Sequence, residues 1–295
     1  MHTLKVPVLL PVGLLSLAAC ASGSPPGSRA GAGPRPDAGL ERPVELALEP
    51  YVGRLRQLAV RIGGGSYPFL FDTGGGLTLI DPDLAPRAGC EPHGRLVGFR
   101  MSGERVEFQQ CGEARIGLGP LELPRYLATF DLMALLPDGL PPLSGVASLH
   151  TLQDHAFTLY LAENRLTIET PASLAERIRH MSELRLHVER DMEGRGVSAY
   201  LEAGAERGSL RLLLDSGNLA GFILAPHALD QLGVEPGPDG SVPDLELDIV
   251  GLGRVRTPIV LDDVRHDGVI GAEFLEGLVL TLDLRAGRAW GRLKS

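Results

Sequence analysis

Two short segments of this chain are built alike, and each delivers one carboxylate. Phe69-Leu70-Phe71-Asp72-Thr73-Gly74 returns 143 residues further on as Leu212-Leu213-Leu214-Asp215-Ser216-Gly217. In both, an apolar run leads into Asp, a hydroxyl residue and glycine. Two carboxylates held side by side cannot both ionise, so they share one proton and can activate a water molecule. A single Asp-Ser-Gly sequence often does no more than cap its own turn. The weight therefore rests on what surrounds the pair.

What surrounds it is a duplication. Residues 145–152 (GVASLHTL) align without a gap on 268–275 (GVIGAEFL), and 157–161 (FTLYL) then fall on 280–284 (LTLDL). Two blocks repeated in the same order mean two copies of one unit, each holding one Asp turn.

The elements that must position these turns read as short strands. Residues 55–62 and 67–71, separated by Gly63-Gly64-Gly65, predict a hairpin leading into Asp72. Residues 197–202 and 209–214 predict its counterpart, with a turn at Ala203-Gly204. Short helices are expected over 82–88 and 226–232, each opened by proline, and a connecting helix begins at Pro171. The 38 Gly and 23 Pro agree with a chain of many turns. The expected fold is all-β, as two pseudo-symmetric lobes with few short helices. The expected layout is a leader at 1–19, a flexible tether at 20–43, a first lobe at 44–170, a connecting helix at 171–183 and a second lobe at 184–295.

Other chemistries lack their signatures. The formal charge is −9 and no Lys/Arg cluster carries interleaved aromatics, so no nucleic-acid partner is expected. Eight His are scattered without ligand spacing and no CxxC occurs, so neither a metal nor a cofactor is expected. There is no GxSxG elbow, and Gly63-Gly64-Gly65 is followed by no GK[ST]. Cys90 and Cys111 are left as either a disulfide or two buried thiols.

At the N-terminus, Lys5 precedes an apolar stretch over 6–18 that is too short to span a bilayer. Leu17-Ala18-Ala19-Cys20 resembles the bacterial lipobox. That resemblance implies cleavage before Cys20, lipidation of its thiol, and attachment to a membrane through the lipid. Ala21 is not the Asp that retains such proteins at the inner membrane. By analogy the expected location is a bacterial cell envelope, at the outer membrane facing the periplasm. Residues 21–43, rich in Gly, Ser, Pro and Ala, read as the tether.

Hydrophobic-hydrophobic-Asp-Thr/Ser-Gly, followed later by hydrophobic-hydrophobic-Gly, resembles the retropepsin-like and pepsin-like aspartic peptidases. The likeness runs from about Val44 to Leu293 and, with two fused units, is similar to the single-chain bilobal members. It implies two acid-protease β-barrel lobes, with Asp72 and Asp215 as a catalytic dyad that hydrolyses an extended polypeptide without metal or covalent intermediate. Thr73 and Ser216 would brace the dyad across the two turns, while Gly74 and Gly217 would let backbone N–H groups reach the carboxylates. Residues 96–108, alternating around Ser102-Gly103, match the family's flap by position, or else form a surface hairpin. Three positions depart from the pattern. Gly75 and Asn218 replace a small hydroxyl or Ala residue after the motif glycine, and Ser148 stands where the first copy should have the later glycine. The expected function is a lipid-anchored aspartic endopeptidase. The departures motivate the alternative, a catalytically silent peptide-binding envelope lipoprotein with the same fold.

Overall fold

The computed structural model describes residues 40–237, 242 and 245–294. The expected leader, Cys20 and all but the last residues of the tether lie outside them. Among the described residues no helix is long and apolar enough to cross a membrane.

The apolar runs that lead into each Asp are fully buried strands. Gly65–Phe71 ends with Phe69, Leu70 and Phe71 inside, and Gly208–Asp215 ends with Leu212, Leu213 and Leu214 inside. Burying a side chain of this size contributes about 2 kcal/mol, so each run fixes its strand end by packing alone. Each strand lies parallel to the first strand of the closing block. Leu70 pairs with Val146 and Phe71 with Ala147, just as Leu213 pairs with Val269 and Leu214 with Ile270. A further strand, Leu79–Ile80 in one half and Phe222–Leu224 in the other, runs antiparallel along the opposite side of that block. The duplication seen in the sequence is thus also a duplication of register.

Each copy curls into a barrel-like lobe. In the first, Arg56–Ile62 pairs with Gly65–Phe71 and again with Arg105–Leu118, which brings the sheet round on itself. In the second, Gly196–Ala205 pairs with Leu186–Asp191, Gly208–Asp215 and Leu245–Ile249. The expected turn at Ala203-Gly204 is corrected here. Both residues lie within the strand, flanked on two sides by partner strands, and the chain reverses after Ala205 instead. The helix from Pro171 ends at Arg177 and continues as one 3-10 turn to His180. Ser182–Leu184 is already a strand.

A six-stranded antiparallel sheet joins the lobes, in the order Ser182–Leu184, Arg288–Leu293, Leu278–Asp283, Phe157–Tyr160, Arg165–Ile168 and Val44–Pro50. Its two central strands come from equivalent places in the two copies. Thr158 faces Thr281, Phe157 faces Leu282 and Leu159 faces Leu280. This is the register that a twofold axis through the Thr pair requires, and the two hydroxyls meet at 2.9 Å. Beneath them Glu169, whose side chain is wholly buried, accepts from Thr158 at 2.7 Å, from Ser173 at 2.6 Å and from Arg177 at 3.1 Å. The fold is that of two pseudo-symmetric β lobes with few short helices.

Candidate active site

The two turns meet between the lobes and hold each other by four reciprocal hydrogen bonds. Thr73 N–H donates to Ser216 Oγ at 3.0 Å, and Ser216 N–H donates to Thr73 Oγ1 at 2.9 Å. Thr73 Oγ1 donates to the Leu214 carbonyl at 2.9 Å, and Ser216 Oγ donates to the Phe71 carbonyl at 3.1 Å. Each hydroxyl therefore both accepts and donates across the seam, which only a residue with an O–H can do. Gly74 N–H donates to Asp72 Oδ1 at 2.9 Å, and Gly217 N–H donates to Asp215 Oδ1 at 3.0 Å.

The glycines are fixed by contact with the opposite carboxyl group. A Cβ on Gly217 would lie 2.5 Å from Asp72 Cγ, and one on Gly74 would lie 2.6 Å from Asp215 Cγ. Any larger residue would push the carboxylates out of position. Both aspartates are fully buried. That burial, and next the charge of Asp215 beside it, hold the Asp72 carboxyl well above the usual carboxylate range. The N–H groups of Gly74 and Gly217 pull it partway back. Asp72 Oδ2 is buried with no donor of its own. A proton shared with Asp215 would satisfy that oxygen, and the pair then titrates as one unit.

The three departures have distinct consequences. At Gly75 there is no room for a hydroxyl-bearing side chain, because its Cβ would lie 2.9 Å from Val146 Cγ1. Asn218 turns its Oδ1 to the Ala220 N–H at 2.9 Å and its Nδ2 toward Met101 Sδ at 3.7 Å. Gly75 has no side chain with which to offer the outer oxygen of Asp72 a donor. Ser148 is buried, accepts from His150 N–H at 3.2 Å and donates to the Gly76 carbonyl at 3.3 Å, so it caps the short helix Leu149–Leu152. Its second-copy counterpart, Gly271, is required by crowding, since a Cβ there would lie 2.1 Å from the Ala220 carbonyl oxygen.

The hairpin of His93–Phe99 and Arg105–Leu118 reaches across to the second lobe. Its tip residue Met101 is buried among Tyr200, Leu213, Ile223, Val264 and Val269. The Arg265 N–H donates to the Met101 carbonyl at 3.1 Å, and the Arg265 guanidinium stands 4.5 Å from the centre of the Phe99 ring. Cys90 and Cys111 form a disulfide, with Cα atoms 5.4 Å apart, that encloses the base of this hairpin.

Sequence reasoning had not singled out Met101 or Arg265. The available signal was an apolar side chain at a turn that otherwise reads Ser-Gly. It also passed over a buried network behind the first turn. Thr78 Oγ1 lies 2.9 Å from His150 Nδ1 and 2.9 Å from Thr151 Oγ1, while Arg125 donates to the Thr151 carbonyl at 2.9 Å. Burial, and then the nearby Arg125, push the His150 imidazole down to about 4, so it is neutral at neutral pH. Among the described residues no cluster of His, Cys, Asp and Glu is arranged to hold a metal ion.

No protein-family model matches the chain, and no curated protein matches it. Among solved structures, conglutin gamma, a basic 7S globulin from lupine seeds, superposes with a TM-score of 0.55 at 13% identity. The match covers 86% of this chain and 95% of that one. Basic 7S globulin from soybean gives 0.54 at 12% identity, with 86% and 95% covered. At these identities the likeness is one of fold alone. This chain has the two-lobed fold of pepsin-like acid proteases.

Proposed function

We propose that the protein is an aspartic endopeptidase in which Asp72 and Asp215 share one proton and activate a water molecule. The observation that supports this best is the reciprocal bracing of the two turns by Thr73 and Ser216, with each motif glycine set against the opposite carboxyl group. In this reading one carboxylate takes a proton from water as the water attacks a peptide carbonyl. The shared proton polarises that carbonyl and then passes to the leaving amine. Such chemistry needs a water-excluded site, and a flap supplies one. The substrate is an extended polypeptide whose backbone pairs with strand edges. Lipid at Cys20 would hold the enzyme at a bacterial envelope membrane, facing the periplasm.

The test is cleavage of a denatured protein mixture from pH 3 to 8 by wild type, Asp72→Asn and Asp215→Asn. Cleavage by wild type that is lost in both variants supports the dyad, and cleavage retained in either variant rejects it. Palmitate labelling that disappears in Cys20→Ser tests the anchor, and unchanged labelling rejects it. A second reading, a silent peptide-binding lipoprotein, is favoured by two observations. Gly75 and Asn218 carry no hydroxyl at the position after each motif glycine, and both structural neighbours are named as globulins rather than peptidases. Peptide binding without cleavage by wild type would establish it.

A further inference from the structure

The loops that follow the two aspartates are held in different ways. After Asp215 the loop carries its own brace, since Asn218 N–H donates to the Asp215 carbonyl at 3.2 Å and Asn218 Oδ1 accepts from Ala220 N–H at 2.9 Å. Backbone bonds then tie that loop to its closing block. Gly271 N–H donates to the Gly221 carbonyl at 2.8 Å, and Ala272 N–H donates to the Asn218 carbonyl at 2.7 Å. After Asp72 come Gly74, Gly75 and Gly76, three residues with no side chain to brace anything. A run of glycine is also the costliest kind of chain to hold in one conformation.

Two consecutive residues of the first closing block grip the two ends of this glycine loop. The Ala147 carbonyl accepts from Asp72 N–H at 3.1 Å, and Ser148 Oγ donates to the Gly76 carbonyl at 3.3 Å. Val197 N–H, from the second lobe, donates to the same Gly76 carbonyl at 3.0 Å. The Ser148 hydroxyl is fully buried and accepts from His150 N–H at 3.2 Å, which leaves its single proton for Gly76. Between the gripped ends lies Gly74, whose N–H holds Asp72 Oδ1 at 2.9 Å. Slack at Gly76 therefore reaches the carboxyl group through Gly74. The second copy has no room for the same device, because a Cβ on Gly271 would meet the Ala220 carbonyl oxygen at 2.1 Å.

We propose that Ser148 is a positioning residue for the first aspartate, its hydroxyl pinning the Gly76 carbonyl and so fixing the glycine loop that sets the Asp72 carboxyl group. This rests on the aspartic-peptidase reading above. Ser148 and the glycine run are then two halves of one compensated exchange rather than two separate defects. A side chain on the closing block does for the first loop what Asn218 does from within the second. Restoring glycine at position 148, which the sequence pattern calls for, should therefore impair the site instead of improving it.

Full-length wild type, Ser148→Ala and Ser148→Gly are compared on a quenched-fluorescent peptide built on a sequence that wild type cleaves in a denatured protein mixture. Folded sites are counted by stoichiometric binding of an uncleavable statine-containing peptide, so a variant that folds poorly is still read per site. Both variants should lose about tenfold in kcat per site, with KM within about twofold of wild type. The alkaline limb of kcat/KM, where the shared proton is lost, should move to higher pH in both. The Gly74 N–H that draws the Asp72 carboxyl down is then held less firmly. Wild-type kcat per site in either variant overturns the positioning role while leaving the dyad intact. So does a loss carried by KM alone, or an alkaline limb that stays in place. A wild type that cleaves nothing rejects the peptidase reading, and the role of Ser148 with it.

Discussion

Replacing His150 with glutamine should make the fold markedly more tolerant of acid. The wild-type imidazole is 2% exposed and titrates at about 4, held down first by burial and then by Arg125. In the unfolded chain the same group titrates near the usual value of about 6.5. A group with a depressed folded value contributes no penalty above the unfolded value. Stability then falls as pH drops through the interval between the two. At pH 4.5 the unfolded state is favoured by between about 2 and 3 kcal/mol relative to pH 7.5, from this one residue. His266, also held near 4 by burial and then by Arg265, adds a similar loss. The dyad acts in the opposite sense, because its raised carboxyl makes the folded state more comfortable as pH falls. The variant isolates the His150 share, since glutamine keeps a polar partner for Thr78 but cannot titrate. Urea unfolding followed by the fluorescence of Trp290, the chain's single tryptophan, should show the wild type losing between about 2 and 3 kcal/mol more than His150→Gln from pH 7.5 to 4.5. Equal losses in the two proteins would refute a buried neutral imidazole.

Thr73→Val and Ser216→Ala each remove one acceptor and one donor from the seam. Each should lower urea stability by about 2 kcal/mol, and the double variant by less than the sum because the pair is coupled. Gly217→Ala drives a methyl group against Asp72 Cγ and should abolish cleavage while circular dichroism still reports the folded sheet. Glu169→Ala strips the acceptor from Thr158, Ser173 and Arg177 beneath the twofold axis. It should cost about 3 kcal/mol or more, read as a drop in Tm, with Glu169→Gln costing less.

The duplication and the two Asp turns were legible because they are local. Six to eight consecutive residues carry each signal, and the closing blocks match without gaps. The strands around them followed from alternation and from glycine punctuation, although Ala203-Gly204 misled, because both residues are paired on two sides inside a strand and the chain reverses only after Ala205. The six-stranded sheet between the lobes could not be read this way. Its strands come from six separated segments, and only register in space shows that Thr158 stands opposite Thr281. The burial of Met101 depends likewise on partners such as Asn218, 117 residues away in sequence, and the neutral state of His150 on its burial and on Arg125 from a different strand. Ser148 was correctly picked out as unusual. Its capping bond to His150 was not foreseeable, because it depends on where the short helix begins.

The pairing of Thr158 with Thr281 has a consequence for ancestry. An interface in which one residue faces its own equivalent, and its neighbours face each other's equivalents in exchange, is self-complementary, so an unfused half would carry the very edge that its twin needs. The chain is in this sense a homodimer written on one strand, with the segment from Pro171 to Met181 as the splice. In a true homodimer every substitution appears twice and must be tolerated on both sides of the axis. Fusion lifts that restriction. One copy carries the long hairpin with Met101 and has Ser148, while the other has Gly271 at the equivalent place and supplies the side chains among which Met101 is buried. The asymmetry that separates the two halves is something only a joined pair can inherit.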